Sequence, residues 1–296
     1  MNRFYPHSKF PFSHGIKKIT PKSAGWKYSG LTIINIEADR DFIVEESILR
    51  ESEGALIPLN LSNVQVQVDD QAFTLNGRTG VFESPSDWIF CTPGSRITIS
   101  SPTTGEFALA SAVAERKFPT RYVEAIRDVE IRGAGHATRE VRPFMHPEKF
   151  LQADRLMVVE LVTPDGNVSS YPPHRHDGFG DCRVANEEIY YFRIGKVGLP
   201  HGDPEGFGFH RTYTGPEETD PFDENLAIHD GDIYLVPRGY HGPSVALPGY
   251  PMYYLNVLAG DSPMRTMDFC DDPDHAWIRK NWESESVDPR IPWKVG

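Results

Sequence analysis

His174 and His176 stand two residues apart, directly after Pro172-Pro173. In an extended segment the side chains at i and i+2 leave the same face, so both imidazoles can reach one metal ion. Glu188 follows at the start of an aromatic run, Ile189-Tyr-Tyr-Phe192, that reads as a strand. A third histidine, His241, closes the segment Gly231-Asp-Ile-Tyr-Leu-Val-Pro237-Arg-Gly239-Tyr-His241. Alone, His-x-His is ordinarily a surface pair. Joined to Glu188 and His241, each at the foot of a strand, it becomes a mixed N/O donor set of the kind that holds a divalent first-row metal.

The elements that must position these residues are short strands. Leu31–Ile36, Asp41–Val44, Val64–Val68, Ala72–Leu75, Val81-Phe82, Trp88–Cys91, Arg96–Ser100 and Phe107–Val113 are β-branched or alternating runs. Turn signals at Asn76-Gly77, Pro93-Gly94 and Thr103-Thr-Gly105 separate some of them. Many short strands at this spacing predict a sandwich or barrel. Phe118–Asp128 reads as a short helix, and the basic, glycine-containing run 131–143 as the crossing between halves. Asp154–Leu161, Glu188–Ile194, Phe207–Thr214, His229–Pro237 and Pro251–Leu258 are the strands of the second half, with Gly215–Asn225 an acidic exposed loop. Residues 1–28 read as an irregular arm. The tail holds a turn or two of helix, and its Trp277, Trp282 and Trp293 are expected to pack on the body or on a partner subunit rather than on a ligand.

The two halves share an outline. Matching Gly94 with Gly239 sets Arg96 opposite His241, and the first half has no His-x-His pair. The expected organisation is therefore a duplicated barrel, 1–125 without metal ligands and 126–296 with them. One metal ion per chain is expected.

Bulk properties narrow the partners. With 30 Lys+Arg against 42 Asp+Glu the net charge is −12, which argues against a nucleic-acid groove and an anionic membrane surface. No apolar run approaches the roughly 20 residues of a membrane span. The opening stretch has no export signature, so a reducing cytoplasm is the expected compartment. Cys91, Cys182 and Cys270 are far apart and odd in number, and predict neither a disulfide framework nor a Cys-x-x-Cys zinc site.

The metal-site pattern resembles the two cupin motifs, with the eleven residues of Asp177–Glu187 as an inserted loop beside the metal. A fuller resemblance runs through Gly135-His-Ala-Thr-Arg139, Asp154-Arg-Leu156, Ser169-Ser-Tyr-Pro-Pro-His174, Glu187-Glu188-Ile-Tyr-Tyr-Phe192, Tyr254-Leu-Asn-Val-Leu-Ala-Gly260 and Asp288-Pro-Arg-Ile-Pro292. These strings are similar to the 5-deoxy-glucuronate isomerases of myo-inositol catabolism. That family is related to the 5-keto-4-deoxyuronate isomerases of pectin breakdown.

The resemblance implies an all-β bicupin, two jelly-roll-like barrels in tandem with little helix. It implies a metal-dependent aldose–ketose isomerase turning 5-deoxy-glucuronate into 5-dehydro-2-deoxy-gluconate. It implies that His174, His176, Glu188 and His241 hold one divalent ion, zinc, manganese or iron. A cytoplasmic homo-oligomer acting on a small-molecule uronate is the corresponding expectation. The other readings of the same donor set are the pectin-pathway isomerase, a cupin Fe(II) dioxygenase and a sugar-binding cupin.

Such an isomerisation needs a polarised carbonyl, a group that shuttles a proton, and a cation for the carboxylate. Tyr190, which shares parity with Glu188, and His210 and Tyr254 are the candidate bases. For each, the role of a packed aromatic or a structural histidine is the commoner one. For the carboxylate, Arg183 in the inserted loop is preferred and Arg139 in the crossing is the second candidate. Arg175 lies between the two histidines and should point away from the metal.

Overall fold

The computed structural model describes residues 2–199 and 202–293. Its strands form four antiparallel sheets, stacked as two sandwiches placed back to back. The first half contributes an inner sheet of six strands, in the order Arg121–Val123, Trp88–Cys91, Ser52–Pro58, Gly105–Val113, Ser29–Ile36 and Ile16–Ile19. Its outer sheet has four: Phe42–Ile43, Ile97–Ser100, Ser62–Val68 and Gln71–Gly77. The inner sheet of the second half has seven strands, among them Ile233–Val236, Asn186–Ile194, Met252–Gly260, Met157–Thr163 and Arg139–Arg142 in that spatial order. Its outer sheet carries Asp223–His229, Phe207–Tyr213, Tyr240–Ala246, His174–Arg175 and Cys270–Asp271.

Burial explains the two kinds of strand. Ser62–Val68 alternates between exposed and buried residues, as expected of an outer sheet with one face on the core. Ser52–Pro58 and Met157–Thr163 are buried at every position, because each inner sheet is covered on both faces. Three cores result. One fills the first sandwich, with Val64, Val66, Ile99 and Leu109. One fills the second, with Val159, Tyr190, Phe192 and Tyr254. The third lies between the two inner sheets and joins Leu31, Trp88 and Phe90 to Val158, Tyr191 and Tyr253.

The same central interface buries ions. Arg78 of the first half donates from Nη1 to Glu160 Oε2 of the second (3.1 Å) and pairs through Nη2 with Oε1 (2.5 Å). Tyr253 donates to Glu160 Oε1 at 2.8 Å, and Arg142 Nε donates to Glu140 at 2.7 Å.

Several expectations are corrected. Phe118–Asp128 is not helical: Arg121–Val123 pairs with Trp88–Phe90 as an edge strand. Val81-Phe82 is a turn, its side chains plugged into the central core. Ser52–Pro58, whose Ser-Glu-Gly opening hides it from a propensity reading, is a central strand. The arm is not irregular, for Ile16–Ile19 pairs with Ser29–Ile36 and Phe4–Tyr5 crosses over to pair with Ile233–Tyr234 of the second half. Sheet membership changes between Arg121–Val123 and Glu130–Arg132. Within Gly215–Asn225, Glu218 is buried against Arg175 Nη1 (3.1 Å) and Arg238 Nη1 (3.0 Å), so the loop is tied down.

Cys182 and Cys270 form a disulfide across a sequence separation of 88, against the expectation of unpaired thiols. The bond joins the inserted loop to the strand Cys270–Asp271, a neighbour of His174–Arg175. Linear spacing could not show that proximity. Among the described residues no helix is long and apolar enough to cross a membrane.

Candidate metal centre and its cavity

Local strand geometry brings the four predicted ligands to one end of the second sandwich. His174 and His241 are direct partners on adjacent strands of the outer sheet. Glu188 enters from the inner sheet, paired with Val236 on one side and Leu258 on the other. The strand carrying His241 then needs a residue without a side chain. Gly242 has φ +104°, and a Cβ there would fall 1.7 Å from the Ser170 carbonyl oxygen.

His176, Glu188 and His241 form a buried group whose donor atoms all lie within 4.8 Å of one another. Glu188 Oε2 is 2.8 Å from His176 Nε2 and 3.1 Å from His241 Nε2. His174 stands just outside this group, its ring 4.3 Å from that of His241 and 4.6 Å from Phe269.

The residues fit a metal ion. His174 Nδ1 lies 3.2 Å from the Pro172 carbonyl and His176 Nδ1 lies 3.1 Å from that of Asn186. A carbonyl only accepts, so each Nδ1 carries a proton and Nε2 is left as the ligating nitrogen, as in histidines oriented by a backbone partner. His241 Nδ1 is buried without a hydrogen-bond partner, and its Nε2 is turned to Glu188. Burial, followed by the neighbouring His241 and His176, pushes the His174 imidazole well below its ordinary range. Burial alone would raise Glu188, but His176 and then His241 outweigh it and hold the carboxyl well below the usual range. Burial alone would lower His176, but Glu188 outweighs it and raises the imidazole, so a cation binding here competes with that proton.

A cavity of 640 Å³ opens on this group. His174, His176, Glu188, Tyr190 and Tyr254 line it, and so does Arg139. Tyr190 shares a hydrogen bond with Ser170 Oγ (3.0 Å) and stacks on Tyr254 with ring centres 4.6 Å apart. Burial, then Glu188, raises the Tyr190 phenol well above its ordinary value, and burial raises Tyr254 to about 12. Arg139 is buried, with Nη1 on the Ala137 carbonyl (3.1 Å) and Nε without any partner. Burial lowers its guanidinium to about 10, which leaves it charged at neutral pH.

Two predicted residues are elsewhere. His210 is buried behind Tyr190 and does not line the cavity. Its Nδ1 is 2.8 Å from Ser244 Oγ and its Nε2 is 3.2 Å from Thr212 Oγ1. Burial, followed by His241, lowers it to about 3, so it stays neutral. Arg183 is exposed and outside the lining, which removes the ground for preferring it to Arg139. Arg175 turns away from the donor group, as its parity demands, onto Asp177.

Other lining residues escaped the sequence reading: Asn256, Val159, Leu161, His146, Arg279 and Trp282. Asn256 was within reach, since it shares parity with Tyr254 on one strand. Trp282 packs on Arg139 and Arg279 at the cavity wall, their guanidinium carbons 5.6 Å and 5.2 Å from its ring. Trp293 packs on the body, against Phe82 at 6.4 Å.

Tandem jelly-roll barrels with a buried histidine–glutamate cluster in one of them define a cupin. The chain matches the model of the KduI/IolB family over residues 5–278, and it belongs to that family. It is 34% identical over 286 residues to a protein of Geobacillus thermodenitrificans named 5-deoxy-glucuronate isomerase, covering 95% of this chain and 97% of that one. A protein of the same name from Lacticaseibacillus casei is 33% identical over 287 residues, covering 94% and 98%. Among solved structures, an IolB-like protein from Salmonella typhimurium superposes with a TM-score of 0.81 at 30% identity, over 94% of this chain and 99% of that one. The oxalate decarboxylase of Lactobacillus farciminis has a TM-score of 0.61 at 10% identity, over 90% and 88%, and so shares the fold.

Proposed function

We propose that this chain is an aldose–ketose isomerase that converts 5-deoxy-glucuronate into 5-dehydro-2-deoxy-gluconate. The observation that carries this reading is a single cavity lined by both the histidine–glutamate group and the buried side chain of Arg139. The relatives of that name, aligned along nearly the whole chain, support it.

A divalent ion on His174, His176, Glu188 and His241 would polarise the C1 carbonyl as a Lewis acid and orient the neighbouring hydroxyl. We assign one such ion per chain and take zinc, manganese or iron as its identity. Arg139 binds the carboxylate by charge-assisted hydrogen bonds, at a site where burial has already removed competing water. Tyr190 and Tyr254 keep their protons at neutral pH, so they serve as hydrogen-bond donors to the substrate oxygens rather than as bases. His146 is half-buried in the cavity wall and its Nδ1 accepts from the Glu148 amide (3.2 Å), so the neutral ring that burial favours carries its proton on Nε2 and acts as a hydrogen-bond donor, not as the base. His210 supports the Tyr190 ring from behind (5.4 Å between centres).

The test is an anaerobic incubation of metal-loaded protein with 5-deoxy-glucuronate, following loss of the aldehyde signal by NMR. Turnover without oxygen is the expected result. Turnover only with oxygen would replace this reading with a cupin dioxygenase. Turnover only of a 4-deoxy-5-keto uronate would place the chain with the pectin-pathway isomerases.

A further inference from the structure

An enzyme acting on a 5-deoxy acid must distinguish it from the same acid bearing a hydroxyl at C5, and the cavity floor offers a means. We infer that Val159 and Leu161 are specificity-determining residues that read the C5 methylene. This rests on the substrate reading above.

The floor is the inner sheet of the second half. Its strands run Asn186–Ile194, Met252–Gly260, Met157–Thr163 and Arg139–Arg142. The residues they turn into the cavity are, in the same order, Glu188 and Tyr190, then Tyr254, Asn256 and Leu258, then Val159 and Leu161, then Arg139. Register makes part of this a true row, since Asn256 pairs with Tyr190 on one side and Val159 on the other. Strands lie about 4.8 Å apart, so about 14 Å of sheet separates the strand of Glu188 from that of Arg139. Register sets Arg139 further along the strands than Glu188, in line with Thr163 and Met252, so the path between them runs diagonally, past Asn256 and then Leu161.

The substrate changes character in the same sequence. Its aldehyde and 2-hydroxyl fall at the donor group. Its next hydroxyls fall at Asn256, whose Oδ1 is buried without a partner. Its C5 methylene falls at Val159 and Leu161, 2% and 8% exposed and without polar side-chain atoms. Its carboxylate falls at Arg139. A hydroxyl at C5 would lose its water against these two aliphatic side chains. An apolar wall rejects an added hydroxyl by about 100-fold.

The test measures binding and turnover of 5-deoxy-glucuronate and of glucuronate by the metal-loaded wild-type protein, Val159→Thr and Leu161→Asn. The first variant keeps the volume and adds one hydroxyl, and the second supplies an amide. Circular dichroism and metal content show whether each remains folded and loaded. Wild type is expected to prefer the deoxy acid by about 100-fold in Kd or kcat/KM. At least one variant should narrow that ratio 10-fold or more, by gaining on glucuronate. Equal binding of the two acids by wild type overturns the inference, as does an unmoved ratio in two folded, loaded variants. If neither variant folds, the wild-type ratio decides. A wild type that binds the deoxy acid selectively but turns over neither overturns the isomerase reading and leaves the selectivity of the wall standing.

Discussion

Replacing Glu160 by Gln attacks the ion cluster that joins the two halves, and its cost can be worked from the structure. The side chains of Arg78, Arg142 and Glu160 are 0%, 1% and 2% exposed. Glu160 accepts from both terminal nitrogens of Arg78 and from the Tyr253 hydroxyl, and its Oε2 lies 3.7 Å from Arg142 Nη1. Glutamine is the same size but removes the negative charge and turns an amide N–H₂ toward a guanidinium. Two buried cations would then face Glu140 as the remaining acidic partner of Arg142. Breaking a buried pair from one side costs about 3–5 kcal/mol. With a urea m-value of about 3 kcal/mol/M, the unfolding midpoint should fall by roughly 1–2 M.

The pH dependence has a definite sign. Burial by itself raises the Glu160 carboxyl, but Arg78 and then Arg142 outweigh it and hold the folded pKa below the ordinary value. Such a group contributes stability that is present above the unfolded pKa and is lost as pH falls through the folded one. Wild type should therefore lose stability below about pH 4, and Glu160→Gln should lack that part of the loss. The double variant Arg78→Met/Glu160→Leu should be less destabilised than the sum of its single changes, by at least about 1 kcal/mol. A midpoint shift equivalent to less than about 1 kcal/mol, with an unaltered acid profile, would refute the reasoning.

Three further outcomes are expected. His174→Ala and His241→Ala should each weaken metal binding by more than about 100-fold, since loss of a ligand exceeds loss of its orienting partner. Elemental analysis of wild type should give one ion per chain, and full metal content in both variants would move the site elsewhere. Arg139→Met should lower kcat/KM by roughly 30-fold or more, the cost of leaving a buried carboxylate unpaired. Arg183→Ala should stay within about 2-fold, because surface substitutions away from a site act weakly, and steady-state kinetics on both variants settles the comparison. Turnover in D2O should place partial deuterium at C1 of the product, because a base that accepts the C2 proton can exchange it. Complete transfer from C2-deuterated substrate with no solvent label would mean direct hydride transfer.

The chemistry of the donor set and the class of fold are legible in the residues alone. His174-x-His176 needs only an extended backbone to put two imidazoles on one face, and period-two alternation in Val64–Val68 is a property of the strand alone. Parity likewise turned Arg175 away from the metal end without any knowledge of its partners. Other features depend on which strands become neighbours. Arg139 and Arg183 are equivalent as letters, and only the strand order puts the first beside the cavity and leaves the second in water. His210 and Tyr190 are both aromatic residues on second-half strands. The distinction between them, a ring locked behind the wall and a hydroxyl at the cavity, comes from the packing of the outer sheet on the inner. Ser52–Pro58 resists a local reading because its strand character comes from burial on two faces, an energy supplied by other parts of the chain. The bond between Cys182 and Cys270 and the ion cluster of Arg78 with Glu160 join residues 88 and 82 positions apart. Contacts across such separations leave no local pattern, because the hydrophobic burial that creates them has no direction along the sequence.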